Sequence, residues 1–380
     1  MCDIIADSIL DAYLEKDPAA RVACEVIITT GIVVIMGEIS SKAVIDINKI
    51  VRKTINKIGY NSDKFGFNSK TCAIFSAIDK QSEDIEQGIL SSGKNKKQSE
   101  TRSKNCISLG AGDQGVMFGY ACNETKTYMP MPIYYANELC KKISHVRRNN
   151  IIDYLGPDGK SMVVMEYDND KFVRTDTIVV SVQHLPHISN QKIQEDILKE
   201  VIEKVIPNNF IDHSTKILIN PSGRFCKGGP CADTGLTGRK IIVDTYGGAS
   251  KHGGGAFSGK DPTKVDRTGA YAARYISKNI VASEVAEKCE VQIAYAIGIP
   301  EPISVAVDTF NTSKYSNYDI TQMVYKLFDL TPSSLINQFN LQCPQYENLA
   351  AFGHFGRNEL DCPWELTDKT NQIKAYFNSK

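Results

Sequence analysis

The sequence predicts an α+β protein of two or three domains, and three observations carry that expectation. Its 380 residues, 42% hydrophobic and 23% charged, have the balance of a globular chain long enough for more than one substantial core. Helical and strand periodicities alternate along it, yet neighbouring strands are joined by short turns such as Thr30-Gly31, which a purely parallel sheet does not use. The same helix-plus-strand theme recurs in three stretches of similar size, without a residue-level repeat.

The first stretch opens in a helix, because Ile5, Ile9, Ala12 and Tyr13 repeat at helical spacing until Asp17-Pro18 ends it. Residues 22–30 and 32–39 read as strands, 43–58 as a helix and 71–78 as another strand. That second helix carries Ala43, Ile47, Ile50, Val51 and Ile58 on one side and stops at Gly59. Residues 91–108 break the pattern: Lys94, Lys96, Lys97, Arg102 and Lys104 stand among Ser, Asn and Gln. Such a composition buries too little apolar surface to order itself, so the segment reads as a linker or a mobile lid. The expected divisions are an N-terminal domain at 1–90, this basic flexible loop at 91–108, a central domain at 109–227 and a C-terminal domain at 228–380. Within the central domain, helices are expected around 134–146 and 191–205, with strands at 161–167 and 177–182. In the last domain, helices at 270–285 and 320–328 accompany strands at 290–296 and 304–308.

Composition excludes several function classes. Basic and acidic side chains number 44 each, so the chain lacks the long-range basic field of a nucleic-acid binder. Its eleven cysteines show no paired spacing, and Cys226 with Cys231 fits no common zinc or redox pattern. Reduced thiols in a cytoplasmic protein are the expectation. His184 and His187 flank Pro186 and read as loop histidines rather than a metal pair. The apolar runs at 32–36 and 178–182 are strand-length, far short of a membrane span. Asp3, Asp7 and Asp11 are the opposite of a basic signal-peptide start.

Two glycine-rich segments carry the chemistry. In Gly110-Ala111-Gly112-Asp113-Gln114-Gly115, glycines around one acid let the backbone approach a ligand and aim a carboxylate at it, although a plain turn has the same composition. In His252-Gly253-Gly254-Gly255-Ala256-Phe257-Ser258-Gly259-Lys260-Asp261, the tail has the spacing of a P-loop, but Asp261 stands where that loop needs a hydroxyl. It reads instead as a phosphate-approaching loop of another kind. Around it lie Arg239, Lys240, Lys260, Lys264 and Arg267, interleaved with Asp233, Asp261 and Asp266, a set suited to a polyphosphate with its magnesium ion. Glu25 and Glu38 interrupt apolar strand patterns and are either solvated or pocket acids.

The two glycine segments resemble the signature segments of the S-adenosylmethionine synthetases (methionine adenosyltransferases). So do residues 235–248, Lys264-Val265-Asp266-Arg267 and Gly353-His354-Phe355-Gly356-Arg357, and the likeness covers nearly the whole chain. It implies three α+β units in pseudo-threefold arrangement, paired subunits meeting through flat sheet faces, and active sites between them in a dimer or a dimer of dimers. The implied reaction is attack of the methionine sulfur on the ribose 5′ carbon of ATP, followed by hydrolysis of the released tripolyphosphate to diphosphate and phosphate. Magnesium and potassium are the implied ions. By the same resemblance Lys160, Arg239, Lys240, Lys260 and Lys264 hold the triphosphate, Asp266 a magnesium ion and Glu25 a potassium ion. Asp113 and Asp233 stabilise the sulfonium. Asp158, Gly159, Arg224, Phe225 (the family's aromatic near the adenine), Asp233 and Ala256 contact the nucleotide, and Glu38, Gln81, Asp84, Asp233 and Ile297 the methionine. The family's gating loop falls at 91–108, which favours the lid.

Departures accompany the likeness. The family's Leu-Arg-Pro-Asp is here Leu155-Gly156-Pro157-Asp158, and Lys227 replaces an apolar residue. Residues 91–108 are longer and more basic than usual. Family members also carry Gly-His-Pro-Asp-Lys directly before the helix that begins here at Met1-Cys2-Asp3. That histidine assists triphosphate departure and that aspartate holds magnesium. The expectation is an N-terminally truncated chain that folds and dimerises with impaired catalysis, or else a non-catalytic partner subunit.

Overall fold

A computed structural model describes residues 1–80 and 110–379. The expected methionine contacts Gln81 and Asp84, and the loop at 91–108, lie outside the described residues.

Chain order begins with α1 (Cys2–Lys16), β1 (Arg21–Thr29), β2 (Ile32–Ser40), α2 (Ile47–Ile58) and β3 (Ala73–Asp79). Strand β1 alternates regularly between buried and half-buried residues. Its even positions Val22, Cys24, Val26 and Ile28 share a core with Ile5, Ile9 and Leu10 of α1. Gly31, at φ +73°, closes the β1–β2 hairpin, and β3 returns parallel to β2. Helix α2 starts at Ile47 rather than at residue 43: the Asp46 carboxylate accepts from Lys49 N at 3.0 Å and caps it. That leaves Val44 in solvent.

The middle of the chain supplies β4 (Gly115–Cys122), α3 (Met131–Arg148), β5 (Leu155–Asp168), β6 (Lys171–His184), α4 (Asn190–Ile197), α5 (Glu203–Val205) and β7 (Lys216–Ile219). The expected helix at 191–205 is interrupted by a π-helical turn, Leu198–Ile202, between α4 and α5. Strands β5 and β6 extend well beyond the expected apolar runs, since the ladder continues through polar residues to Asp168 and Lys171.

The remainder comprises β8 (Gly235–Leu236), α6 (Ile241–Asp244), α7 (Val265–Ala282), β9 (Lys288–Tyr295), β10 (Ser304–Asp308), α8 (Asn317–Leu327), α9 (Pro332–Gln338) and α10 (Thr370–Asn378). Helix α7 ends three residues before the expected Val285, and Glu284 follows in a left-handed conformation.

Among the described residues the strands form three sheets, ordered β3-β2-β1-β8, β10-β9-β4 and β5-β6-β7, which makes the fold α+β with mixed sheets. Two of them borrow a strand from afar: β8 pairs with β1, and β4 with β9. One apolar core consequently runs beneath the first two sheets, around the almost wholly buried α7, whereas β5-β6-β7 has its own core with α3 and α4.

Candidate active site

The edge of β1 away from β2 holds the site together. Beyond β8, the same edge receives the second glycine segment: Cys24 N donates to Gly259 O at 2.9 Å and Asp261 N to Val22 O at 2.9 Å. Close approach is the reason for glycine here. A Cβ on Gly259, at φ +79°, would sit 1.9 Å from Cys24 O. Asp7 of α1 accepts from Gly259 N at 2.8 Å and takes a two-pronged ion pair from Arg267 of α7, at 2.9 and 2.6 Å. Both side chains are fully buried, so one carboxylate ties α1, the glycine loop and α7 together. Asp3, one turn earlier, accepts from Gly238 N at 2.8 Å.

Asp261 explains why the P-loop spacing is not a P-loop. Its carboxylate is wholly buried and accepts from Val22 N, from the N–H and hydroxyl of Thr263, and from Lys264 Nζ at 3.0 Å. Burial pushes this acid up, but Lys264, Arg21 and Thr263 outweigh it and hold it below the usual range. It fastens the loop rather than facing a metal ion. No strand leads into the loop either; turns follow α6.

The expected site residues fall into two clusters. The first surrounds a cavity of about 330 Å³ lined by Asp3, Ile28, Tyr60, Asp158, Lys160, Asp233, Leu236, Arg239 and Lys240, among others. Strand β5 delivers Asp158 and Lys160, and the segment after β8 delivers Arg239 and Lys240. Among the described residues, Lys160, Arg239 and Lys240 have no carboxylate ion-pair partner and are exposed. Asp158 is fixed by Gly229 N at 2.8 Å, and Gly159 follows it on the same strand. Phe225 is half-buried and held by its backbone to His184; Arg224 is exposed, its Nε 3.2 Å from Cys226 Sγ.

The second cluster gathers around the glycine loop. Lys260 pairs with Asp266 at 2.5 Å. Burial raises the half-buried Glu25, against the pull of Lys260. Gly112 N donates to Thr263 O at 3.2 Å, and Ala111 bridges to Ile297, which brings Asp113 and the exposed Ile297 to this side. Ala256 links the clusters, since its Cβ fills the space of a side chain at Gly238. Gly159, Arg224 and Phe225 are not among the residues lining the cavity, and neither are Asp113, Ile297 and Glu38. Glu38 faces the same side of the first sheet as Glu25: it pairs with Ala23, and Glu25 with Met36.

Arg267 was read as one of the loop's cations, but its buried pairing with Asp7 was not, and the cavity residue Tyr60 was not singled out. Asp7 had a signal, an acid among the apolar residues of α1; Tyr60, just past Gly59, had none. His184, expected in a loop, is the buried last residue of β6.

Models of known families match the chain in three consecutive parts: the S-adenosylmethionine synthetase N-terminal domain at residues 1–83, the central domain at 108–225 and the C-terminal domain at 227–366. The S-adenosylmethionine synthase of Clostridium tetani (strain Massachusetts / E88) is 53% identical over 374 residues, covering 98% of this chain and 95% of that protein. With likeness at this level over all three domains, the chain belongs to the S-adenosylmethionine synthetase family.

Proposed function

We propose that this transferase, which forms S-adenosylmethionine from ATP and L-methionine, builds each catalytic centre from both clusters. The observation that carries the reading is the convergence of Lys160, Arg239 and Lys240 on one cavity without carboxylate partners among the described residues. The nucleophile is a neutral thioether and needs no base, whereas the leaving triphosphate accumulates charge as the bond to the 5′ carbon breaks. Cations already aimed at that position stabilise the departing group without reorganisation. Lys260 and Lys264 approach it from the glycine loop, and the tripolyphosphate is then hydrolysed to diphosphate and phosphate. Asp113 and Asp233 stabilise the sulfonium. Asp158, Gly159, Arg224, Phe225 and Ala256 contact the nucleotide; Glu38 and Ile297 face the methionine.

Members of this family depend on metal ions, and the chain offers hard oxygen donors for them. Lys260 takes one oxygen of the Asp266 carboxylate, and the other lies against Gly255, where a Cβ would come within 2.3 Å of it. Asp266 would hold Mg²⁺ together with phosphate oxygens, and Glu25 would hold K⁺. Magnesium supplies charge neutralisation of the polyphosphate when bound.

The first sheet supports a homodimer, or a dimer of such dimers. Its open face presents Ile27, Val34, Met36 and Phe75, in register across β1, β2 and β3, with Phe75 58% exposed. Glu25 and Glu38 stand on that face, which would place their cluster at the junction with a second copy. The close likeness to a synthase does not favour a non-catalytic partner subunit. Free cysteines throughout the described residues support a cytoplasmic setting, and no described helix is long and apolar enough to cross a membrane. The test is an assay of purified protein with ATP, methionine, Mg²⁺ and K⁺. Formation of a sulfonium product with loss of intact triphosphate is expected; no product under any ion condition refutes the reading.

A further inference from the structure

We infer that Gln183 and His184 are positioning residues for the adenosine end of ATP, holding Phe225 and Asp158 as one unit. The inference rests on the reading above that Phe225 and Asp158 contact the nucleotide. Three consecutive residues at the end of β6 grip the 220–229 segment. Val182 N donates to Asn220 Oδ1 at 2.8 Å, and Asn220 Nδ2 returns a bond to Val182 O at 3.1 Å. The Gln183 amide, fully buried, donates to Cys226 O at 3.1 Å and accepts from Asp158 N at 3.3 Å. His184 takes both backbone groups of Phe225. Its N–H donates to Phe225 O at 3.0 Å, and its ring Nε2 accepts from Phe225 N at 3.1 Å.

The ring has one tautomer that satisfies these contacts. Nδ1 lies 2.9 Å from Leu185 O, which can only accept, so Nδ1 carries the hydrogen. Nε2 faces an N–H, which can only donate, so Nε2 is bare. At 1% exposure water cannot replace either bond. The departure at Gly156 has its reason here too: a Cβ at that position would lie 2.5 Å from Gln183 Oε1, so the glycine makes room for the amide that reaches Asp158. The base-side aromatic and the carboxylate on β5 are thus registered through two buried side chains that do not themselves line the cavity.

The side-chain amides of Asn and Gln separate the two roles of the imidazole. His184→Asn keeps a donor near Leu185 O and removes the acceptor for Phe225; His184→Gln keeps that acceptor. In steady-state kinetics, H184N is expected to raise KM for ATP roughly three- to tenfold, with kcat and KM for methionine little changed. H184Q is expected to restore most of the lost ATP affinity. Nitrogen-15 NMR of histidine-labelled wild-type enzyme should show the Nδ1–H tautomer at His184, a readout that stands even if a variant folds poorly. An Nε2–H tautomer, equal kinetics for H184N and H184Q, or parallel changes in both KM values would overturn the inference. Phe225→Leu separates it from the reading beneath. If F225L weakens ATP and H184N does not, the positioning role is lost and the nucleotide contact stands; if F225L leaves ATP unaffected, both fall.

Discussion

Lys160 and Lys264 belong to the same expected set of triphosphate cations, yet their surroundings differ. Lys160 is exposed at the cavity, whereas Lys264 is paired with the buried Asp261. Lys160→Met is therefore expected to lower turnover about ten- to a hundredfold, with an unchanged melting temperature and unchanged methionine affinity. Lys264→Met is expected to lower turnover and also to cost about 1–3 kcal/mol of stability, because Asp261 loses a buried partner. Melting curves recorded beside the kinetics check the contrast, and equal stability of the two variants would contradict it. The sequence offered these cations as a set, because they flank glycines in a recognisable order. It did not reveal that Asp261 already occupies one of them. Charge type is legible in a sequence; which carboxylate neutralises which lysine depends on burial.

Elements meet around the buried Asp7–Arg267 pair, which joins α1, the glycine loop and α7. Asp7→Asn leaves the guanidinium buried without its charge partner and is expected to destabilise the protein by about 3–5 kcal/mol. Denaturant titration would read this; a loss below 1 kcal/mol would show that the pair does not join the elements. At the surface, Glu359 connects Lys141 of α3 with Arg357. Burial raises its pKa, but hydrogen bonds from Arg357 and Lys141 prevail and bring it down to about 2. A carboxylate depressed from 4.5 stabilises the fold above its unfolded value and loses that contribution as pH falls from about 4.5 through about 2. Because Glu359 is half-exposed, the effect is modest. Glu359→Gln is expected to melt slightly earlier than wild type at pH 7, with the gap closing toward pH 2, which a pH series of melting curves can follow. Helix and strand periods were legible where apolar residues repeat, as in α1, β1 and β2. The start of α2 and the π turn before α5 were not, since a cap and a backbone register decide them. Strand exchange between distant segments, β8 to β1 and β4 to β9, leaves no periodic trace at all.

At the scale of the molecule, the proposed catalytic centre draws on both clusters. The cavity cations lie beside the edge of the first sheet, while Glu25 and Glu38 stand on its open apolar face. A second copy against that face would bring the loop cluster of one subunit to the cavity of the other. Complementation measures this directly. Lys160→Met and Lys260→Met, each prepared alone, are expected to be strongly impaired. When the two are unfolded together and refolded, half of the dimers are mixed, and each mixed dimer contains one centre free of both substitutions. Recovery to about a quarter of wild-type turnover is the expected result. No recovery above the separate variants, in preparations that demonstrably contain mixed dimers, would contradict a catalytic centre shared between subunits.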